Sequence, residues 1–310
     1  MNNYMYGKAG KADYTVANMP KNRFELFFEV LKVRWSTMFG VNLLYMVFWI
    51  PTIAWTMLNV FALASLEDPQ AGTVSGLFST YLMLLIPCVF ITGPFTAGLT
   101  YVERNWARDQ HSFVWSDFWD AVKGNWKQAL PVSLISGILP FITYVAYVTY
   151  SELGASNSPI FYVPMGLVLL VLIVWRLCEP TLYVMMVTYE LRLRDLIRNA
   201  LIMTVARLPH AIAVKLLTWV FPALMLGVAL IMSEYQMIVI FIALLLYVLW
   251  IPAFNRLILS SFGNYCCEKY LNTRIEGAAT NIGLRPDDWD DTEYIPQDDE
   301  EDPPKPKEIV

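Results

Sequence analysis

Long apolar stretches alternate with short polar connections along this chain. A helix needs about 20 mostly apolar residues to cross a bilayer. Six stretches meet that requirement: Phe39–Leu63, Leu77–Thr100, Leu130–Tyr150, Ile160–Leu182, Ala211–Met232 and Met237–Leu257. The pattern predicts an all-α, polytopic membrane protein with about six transmembrane helices. We expect a cytoplasmic N-terminal segment over 1–36, a membrane domain over 37–274 and a disordered acidic tail over 275–310.

The distribution of basic residues predicts how the helices cross the membrane. The connections 64–76, 151–159 and 233–236 contain no Lys or Arg, and the basic residues lie toward the opposite ends of the spans. Cytoplasmic loops retain Lys and Arg. Both termini and the two long loops are therefore expected to face the cytoplasm.

Composition and charge support a membrane protein and argue against a nucleic-acid partner. Hydrophobic residues make up 56% of the chain and charged residues only 16%, whereas about a quarter of a typical soluble chain is charged. The net charge is −5, but residues 286–310 alone carry eleven acids against two lysines. This proline-rich acidic tail is expected to be extended and solvated. It is either an inert segment or a tether for a basic partner, anchored at Trp289.

Three amphipathic segments are expected to form helices at the cytoplasmic surface of the membrane. The first precedes the first span and presents Phe24, Phe27, Phe28 and Leu31 on one face. The second contains Trp115, Phe118, Trp119, Val122 and Trp126 at helical spacing. The third echoes the second at an offset of 78 residues and aligns Asp117 with Asp195 and Pro131 with Pro209. The echo predicts a weak internal repeat whose copies run parallel.

Charged and polar residues within the spans allow two interpretations. Arg176, Glu179, Lys215 and Arg256 lie near span ends, so we expect them to anchor the helices at the interface rather than form a proton or ion relay. Every span also contains proline, which kinks helices and opens substrate sites in some transporters. The polar residues that would line a midplane cavity, or else join helices by hydrogen bonds, are Asn42, Asn59, Thr92, Thr96, Ser133, Ser136 and Thr143.

The sequence contains no recognisable catalytic or metal-binding pattern. His111 and His210 are isolated from Cys and carboxylates at ligand spacing. Serine elbows, phosphate-binding loops and dinucleotide fingerprints are absent from the sequence. We therefore expect a protein without a metal or cofactor that is not an enzyme.

The second span and the loop after it resemble the YesL family of bacterial membrane proteins. The resemblance is carried by Ile91–Val102, Arg104, Val114–Phe118 and Asn125–Pro131, with Asn42–Tyr45 and Pro51 before them and Leu193–Arg207 after them. It extends over roughly residues 23–270. The motif positions that we take as structural candidates are Asn42, Gly93, Pro94, Ala97, Arg104, Trp115, Asp117, Trp126, Pro131, Asp195 and Pro209. Gly93 and Ala97 would let a neighbouring helix approach closely, and Arg104 with Asp117 would fix the surface helix.

The resemblance implies a location and a biological context but no activity. Members of the family have unknown function and are commonly encoded near ABC-type carbohydrate importers. This implies a bacterial plasma-membrane protein that is an accessory of carbohydrate import and contacts permease or ATPase subunits at its cytoplasmic face. The alternative is a small-solute transporter or channel in its own right, and a membrane enzyme is a third possibility.

Overall fold

The computed structural model describes residues 19–66 and 70–286, and these residues form helices and connecting turns without strands. The helices are α1 (Arg23–Met46), α2 (Ile50–Ala64), α3 (Ala71–Trp106), α4 (Val114–Ser156), α5 (Tyr162–Met186), α6 (Leu193–Ala206), α7 (Leu208–Ile231), α8 (Gln236–Leu249) and α9 (Ile251–Tyr270). Five helical segments are long and apolar enough to cross a membrane, and a sixth results if α8 and α9 count as one bent span. The predicted all-α, multi-pass architecture is confirmed.

The amphipathic segment before the first span is the beginning of α1 and not a separate helix. α1 continues through one 3-10 turn, Val47–Trp49, into α2, and together they form a 42-residue segment. Asn22 caps its start, because its side chain accepts hydrogen bonds from the backbone N–H groups of Phe24 and Glu25. Leu26 and Val30 are the residues buried here. Phe24 and Phe28, which belong to the predicted apolar face, are exposed.

The second amphipathic segment is likewise the first part of a long helix. α4 runs without interruption for 43 residues, and Pro131 lies inside it. The amphipathic segment and the predicted span from Leu130 therefore share one helix, with no boundary between them. The equivalent boundary in the third segment is real, because Arg207 leaves helical geometry with φ −125° and ψ 31° and Pro209 lies in the first turn of α7.

We call the end of the bundle where α1 begins and α3 and α5 end the basic end. Two apolar cores lie there, one containing Leu26, Leu99 and Phe118 and the other containing Leu182 and Leu196. Phe118 of α4 and Leu196 of α6 are aligned by the internal repeat, and both are completely buried. The two copies of the repeat thus use matching positions to pack against the bundle.

The chain returns to the bundle after α9. The backbone N–H of Arg285 donates to the carbonyl of Pro20 at 2.9 Å, and Leu284 packs on the core that contains Phe118. Gly283 has φ +81°, and a Cβ there would lie 2.9 Å from the carbonyl oxygen of Arg108. The part of the predicted tail beyond Pro286, including Trp289, and the first 18 residues lie outside the described residues.

Candidate functional site

A cavity of about 340 Å³ lies between the helices, and its wall carries four charged side chains. Arg176 and Glu179 come from α5, Lys215 from α7 and Arg256 from α9. Lys215 is seven residues from the start of α7, or about 10 Å along the axis. The cavity wall extends from this level to Pro222, near the middle of α7.

The four residues that we expect to anchor the helices at the interface line one cavity. Three helices bring all four to one cavity. Arg176 is 43% exposed, so it lies at the rim, whereas Glu179 is 17% exposed and lies further inside. Charges that line a cavity in a membrane bundle are typical of substrate and ion sites.

A chain of hydrogen bonds fixes Glu179. Its Oε1 accepts a hydrogen bond of 3.0 Å from the Ser136 hydroxyl, which in turn accepts one of 2.8 Å from the indole N–H of Trp175. Its Oε2 lies 3.3 Å from Nη1 of Arg176. The carboxylate is thus held on both oxygens by groups from α4 and α5, which gives this wall a defined geometry.

A second hydroxyl network lies on the opposite wall. Thr96 donates to the backbone carbonyl of Thr92 at 3.0 Å. The hydroxyl of Tyr45 lies 3.0 Å from the Thr96 oxygen. Because the single proton of Thr96 is already used, Tyr45 is the donor in this pair. The network connects α1 to α3 across the cavity wall.

Arg256 and Lys215 are the two cations that the Glu179 network does not bind. The guanidinium carbon of Arg256 lies 5.6 Å from the ring centroid of Tyr183, a cation–π arrangement. Within the described residues, neither cation has a carboxylate oxygen closer than 4.0 Å.

Four of the seven polar residues proposed from the sequence as cavity lining do line it: Thr92, Thr96, Ser133 and Ser136. The other three act elsewhere. Asn59 and Thr143 bond to carbonyls of their own helices at 2.8 Å. Asn42 is completely buried beside the bend between α8 and α9.

The small-residue motif of α3 lies against α4. A Cβ at Gly93 would come within 2.6 Å of the Ala129 carbonyl oxygen. Ala97 is completely buried and Pro94 is buried beside it in α3. Gly98, which the sequence analysis did not select, is equally tight, because a Cβ there would lie 2.8 Å from Val122.

Arg104 and Asp117 do not act as a pair. Asp117 accepts hydrogen bonds from the Ser112 hydroxyl at 2.7 Å and from the Phe113 backbone N–H at 2.9 Å, and so closes the first turn of α4. Arg104 instead donates to the side chain of Asn105 at 2.9 Å. Asp195 lies in the first turn of α6, the position equivalent to that of Asp117 in the repeat, where an acid favours the helix dipole.

The remaining motif residues lie away from the cavity. Trp115 and Trp126 are exposed on α4, at 68% and 45%. Pro131 is half-buried inside α4, and Pro209 is exposed at the start of α7.

Sequence reasoning missed two buried acids at the basic end. Glu103 is completely buried, and neither carboxyl oxygen has a hydrogen-bond partner among the described residues. Helical periodicity could have indicated that Glu103 is buried. It lies four residues after Leu99 and three before Trp106, and both of these are buried.

Glu268, the second missed acid, is a structural junction. It pairs with Arg23 of α1 and accepts hydrogen bonds of 2.9 Å from the Asn264 side chain and the Asn281 backbone N–H. Arg108 approaches it at 4.0 Å. Burial lowers the pKa of the Arg108 guanidinium, and the Glu268 carboxylate opposes that shift.

Within the described residues no group of three or more His, Cys, Asp or Glu side chains is arranged to hold a metal ion. The polar cavity is the candidate site, because charged and hydroxyl side chains from several helices line it.

A protein family described as "Protein of unknown function, DUF624" matches residues 38–147. The match begins in α1, ends in α4 and includes Asn42, Gly93 and Asp117. Searches of curated proteins and of solved structures give no match to this chain. The matched family has no known function, so it supplies no functional residues, and the narrower YesL assignment stays a prediction.

Proposed function

We propose that the chain is a non-enzymatic membrane protein that admits a small polar solute to the cavity and acts as a transporter or channel for it. The observation that carries this proposal is the convergence of Arg176, Glu179, Lys215 and Arg256 with five serine and threonine hydroxyls on one cavity. Its volume lies near the lower end of the range of small-molecule sites, about 300–1,000 Å³.

Prolines from three helices line the cavity, and one of them follows the bend between α8 and α9. Pro180 of α5, Pro222 of α7 and Pro252 of α9 all line it. Proline removes a backbone donor and disrupts helix hydrogen bonding, and interrupted helices at a binding site are a feature of secondary transporters. This supports a mobile wall around the solute.

Counterflow into proteoliposomes tests the proposal. Purified full-length protein is reconstituted in phosphatidylcholine vesicles preloaded with glucose, glucuronate or inorganic phosphate, and accumulation of the matching radiolabelled probe is measured. At least one probe should accumulate above the level in protein-free vesicles. Accumulation of none would contradict the proposal.

A matched pair of variants on α7 shows whether the cavity is the route. Thr218 lines the cavity and is 8% exposed, whereas Leu216 on the same helix is 62% exposed. Thr218→Phe should abolish counterflow and Leu216→Phe should preserve it, with size-exclusion profiles confirming that both variants are folded. Equal counterflow in the two variants would exclude this cavity.

Exposed aromatic side chains at the basic end favour a second candidate function, the accessory role in carbohydrate import that the YesL resemblance implies. Phe24, Phe28, Phe113 and Trp115 are between 62% and 80% exposed. Such side chains suit contact with a partner protein or with the bilayer surface. Pull-down of the tagged protein should recover importer permease or ATPase subunits, and Phe24→Ser with Phe28→Ser should reduce the recovery. Recovering none would count against this role.

The proposed location is the bacterial plasma membrane with the basic end in the cytoplasm. The described N- and C-terminal segments meet at that end, where Arg285 bonds to Pro20, and the positive-inside rule favours the cytoplasm for it. Reporter fusions at residues 66 and 310 should show opposite sides of the membrane, with the second on the cytoplasmic side.

A further inference from the structure

The cavity carries more positive charge than its own residues neutralise. Three cations and one carboxylate line it. The carboxylate of Glu179 is already bound by Arg176 at 3.3 Å and by Ser136 at 3.0 Å. In the described part of the chain neither Lys215 nor Arg256 has a carboxylate oxygen within 4.0 Å. Glu179 acts on Lys215, and Glu103 on Arg256, only from farther away. Holding unpaired charges inside a membrane bundle is costly, so a ligand that brings negative charge would be favoured.

The hydroxyl groups of the cavity wall complement a ligand with hydroxyls of its own. Thr92 donates to the carbonyl of Val89 at 2.7 Å, Ser133 to that of Phe90 at 2.7 Å and Thr218 to that of Lys215 at 2.7 Å. Each hydroxyl thus uses its one proton on the backbone and retains acceptor capacity on its oxygen. These oxygens can accept hydrogen bonds from ligand hydroxyls, whereas the cations can donate to a ligand oxyanion.

These two observations define one ligand chemistry. We propose that the cavity binds a small hydroxylated oxyanion, with its negative group between Lys215 and Arg256 and its hydroxyls against Thr92, Ser133 and Thr218. The inference rests on the proposed function, because it assigns a chemical class to the solute of that cavity. A soluble sugar acid and the glycerol-phosphate headgroup of an anionic lipid both have this chemistry.

Binding to the full-length protein in phosphatidylcholine nanodiscs tests the charge requirement. Isothermal titration uses glucuronate, which carries both features, and glucose, which carries hydroxyls alone. We expect glucuronate to bind at least about tenfold more tightly than glucose, since hydrogen bonds to charged groups are the stronger ones. Lys215→Ala and Arg256→Ala should each weaken glucuronate binding about tenfold and weaken glucose binding by a smaller factor.

Two further variants show whether an effect on binding comes from the lost positive charge or from a general disturbance of the folded protein. Arg198 is an exposed cation on α6 that does not line the cavity, so Arg198→Ala should bind both probes as the wild type does. Arg256→Lys keeps the positive charge and should retain most of the glucuronate affinity. If Arg256→Lys loses affinity as fully as Arg256→Ala and glucose binds as tightly as glucuronate, the charge is not being recognised and the inference is overturned.

A measurement of bound lipid distinguishes a soluble sugar acid from the headgroup of an anionic lipid as the ligand. Phosphatidylglycerol retained through purification is quantified for the wild type and for the Lys215→Ala, Arg256→Ala double variant. Retention that depends on the two cations identifies the headgroup as the ligand, and glucuronate binding that depends on them identifies a soluble acid. If neither depends on them while glucose still drives counterflow, the inference fails and the proposed function stands. If no probe binds or moves, the proposed function itself fails.

Discussion

The side chain of Asn42 in α1 accepts a 2.8 Å hydrogen bond from the backbone N–H of Ala253, which follows Pro252 in the first turn of α9. Its amide nitrogen donates at 2.7 Å to the carbonyl of Val248 on the other side of the bend between α8 and α9. In a continuous helix that carbonyl would bond to residue 252, which is proline and has no N–H. Asn42 therefore satisfies one backbone group on each side of the 53° bend.

Asn42→Ala should destabilise the protein by about 2–4 kcal/mol, because two buried backbone groups lose their partners. Asn59→Ala is the matched control, since Asn59 bonds only to the carbonyl of Trp55 in its own helix, and it should have little effect. Thermal unfolding in nanodiscs measures the difference. Equal melting temperatures for the two variants would show that the bend does not depend on Asn42.

The close approach of α3 and α4 gives a second pair of variants. A Cβ at Gly93 would lie 2.8 Å from the Cβ of Ser133, whereas a Cβ at Gly124 on α4 meets no atom within 4 Å. Gly93→Ala should lower stability by about 1–3 kcal/mol through overpacking. Gly124→Ala should raise it by up to about 1 kcal/mol, because alanine favours the helix. The same unfolding assay applies, and a neutral Gly93→Ala would mean that the helices separate without cost.

Tyr189 gives a pH-dependent prediction outside the spans. Burial raises the pKa of its phenol above the ordinary 10.0, and the hydroxyl donates to Asn272 at 2.5 Å. A raised folded-state pKa contributes stability that is present below pH 10 and is lost as the pH rises toward the folded value. The stability advantage of wild type over Tyr189→Phe should shrink by up to about 1 kcal/mol between pH 9 and pH 11. A constant difference would show that Tyr189 ionises as freely in the folded protein.

The spans could be predicted from hydropathy, but their ends could not. α3 begins at Ala71 and ends at Trp106, whereas its apolar stretch covers only 77–100. Hydropathy detects the part of a helix suited to lipid, and helical hydrogen bonding continues into the polar flanks. Proline can interrupt a helix, yet α4 stays continuous through Pro131 and packs on Gly93 and Gly98 of α3.

The cavity could be predicted only in part, for a physical reason. Local pattern indicates that Thr92, Thr96, Ser133 and Ser136 are polar residues within apolar helices. It does not indicate that Glu179, Lys215 and Arg256, which come from three helices, share one wall. Read separately, each charge lies near a helix end and has an ordinary interfacial explanation. Their meeting depends on the order in which the helices pack, which no single segment encodes.

Replacing each of the two buried acids of the basic end by an uncharged residue should change the stability of the protein in opposite directions. Glu268 pairs with Arg23 and bonds to Asn264 and Asn281. Glu268→Gln would leave Arg23 without its partner and should cost about 3 kcal/mol. Glu103 has no partner for either oxygen among the described residues.

Glu103→Met keeps a side chain of similar length and removes two buried oxygens, so the melting temperature should stay the same or rise. Both variants are compared with the wild type in phosphatidylcholine nanodiscs, and the counterflow assay is run in parallel because neither residue lines the cavity. If Glu103→Met melts as early as Glu268→Gln, the Glu103 carboxyl stabilises the bundle. If it instead keeps its stability and loses counterflow, Glu103 takes part in transport from outside the cavity wall.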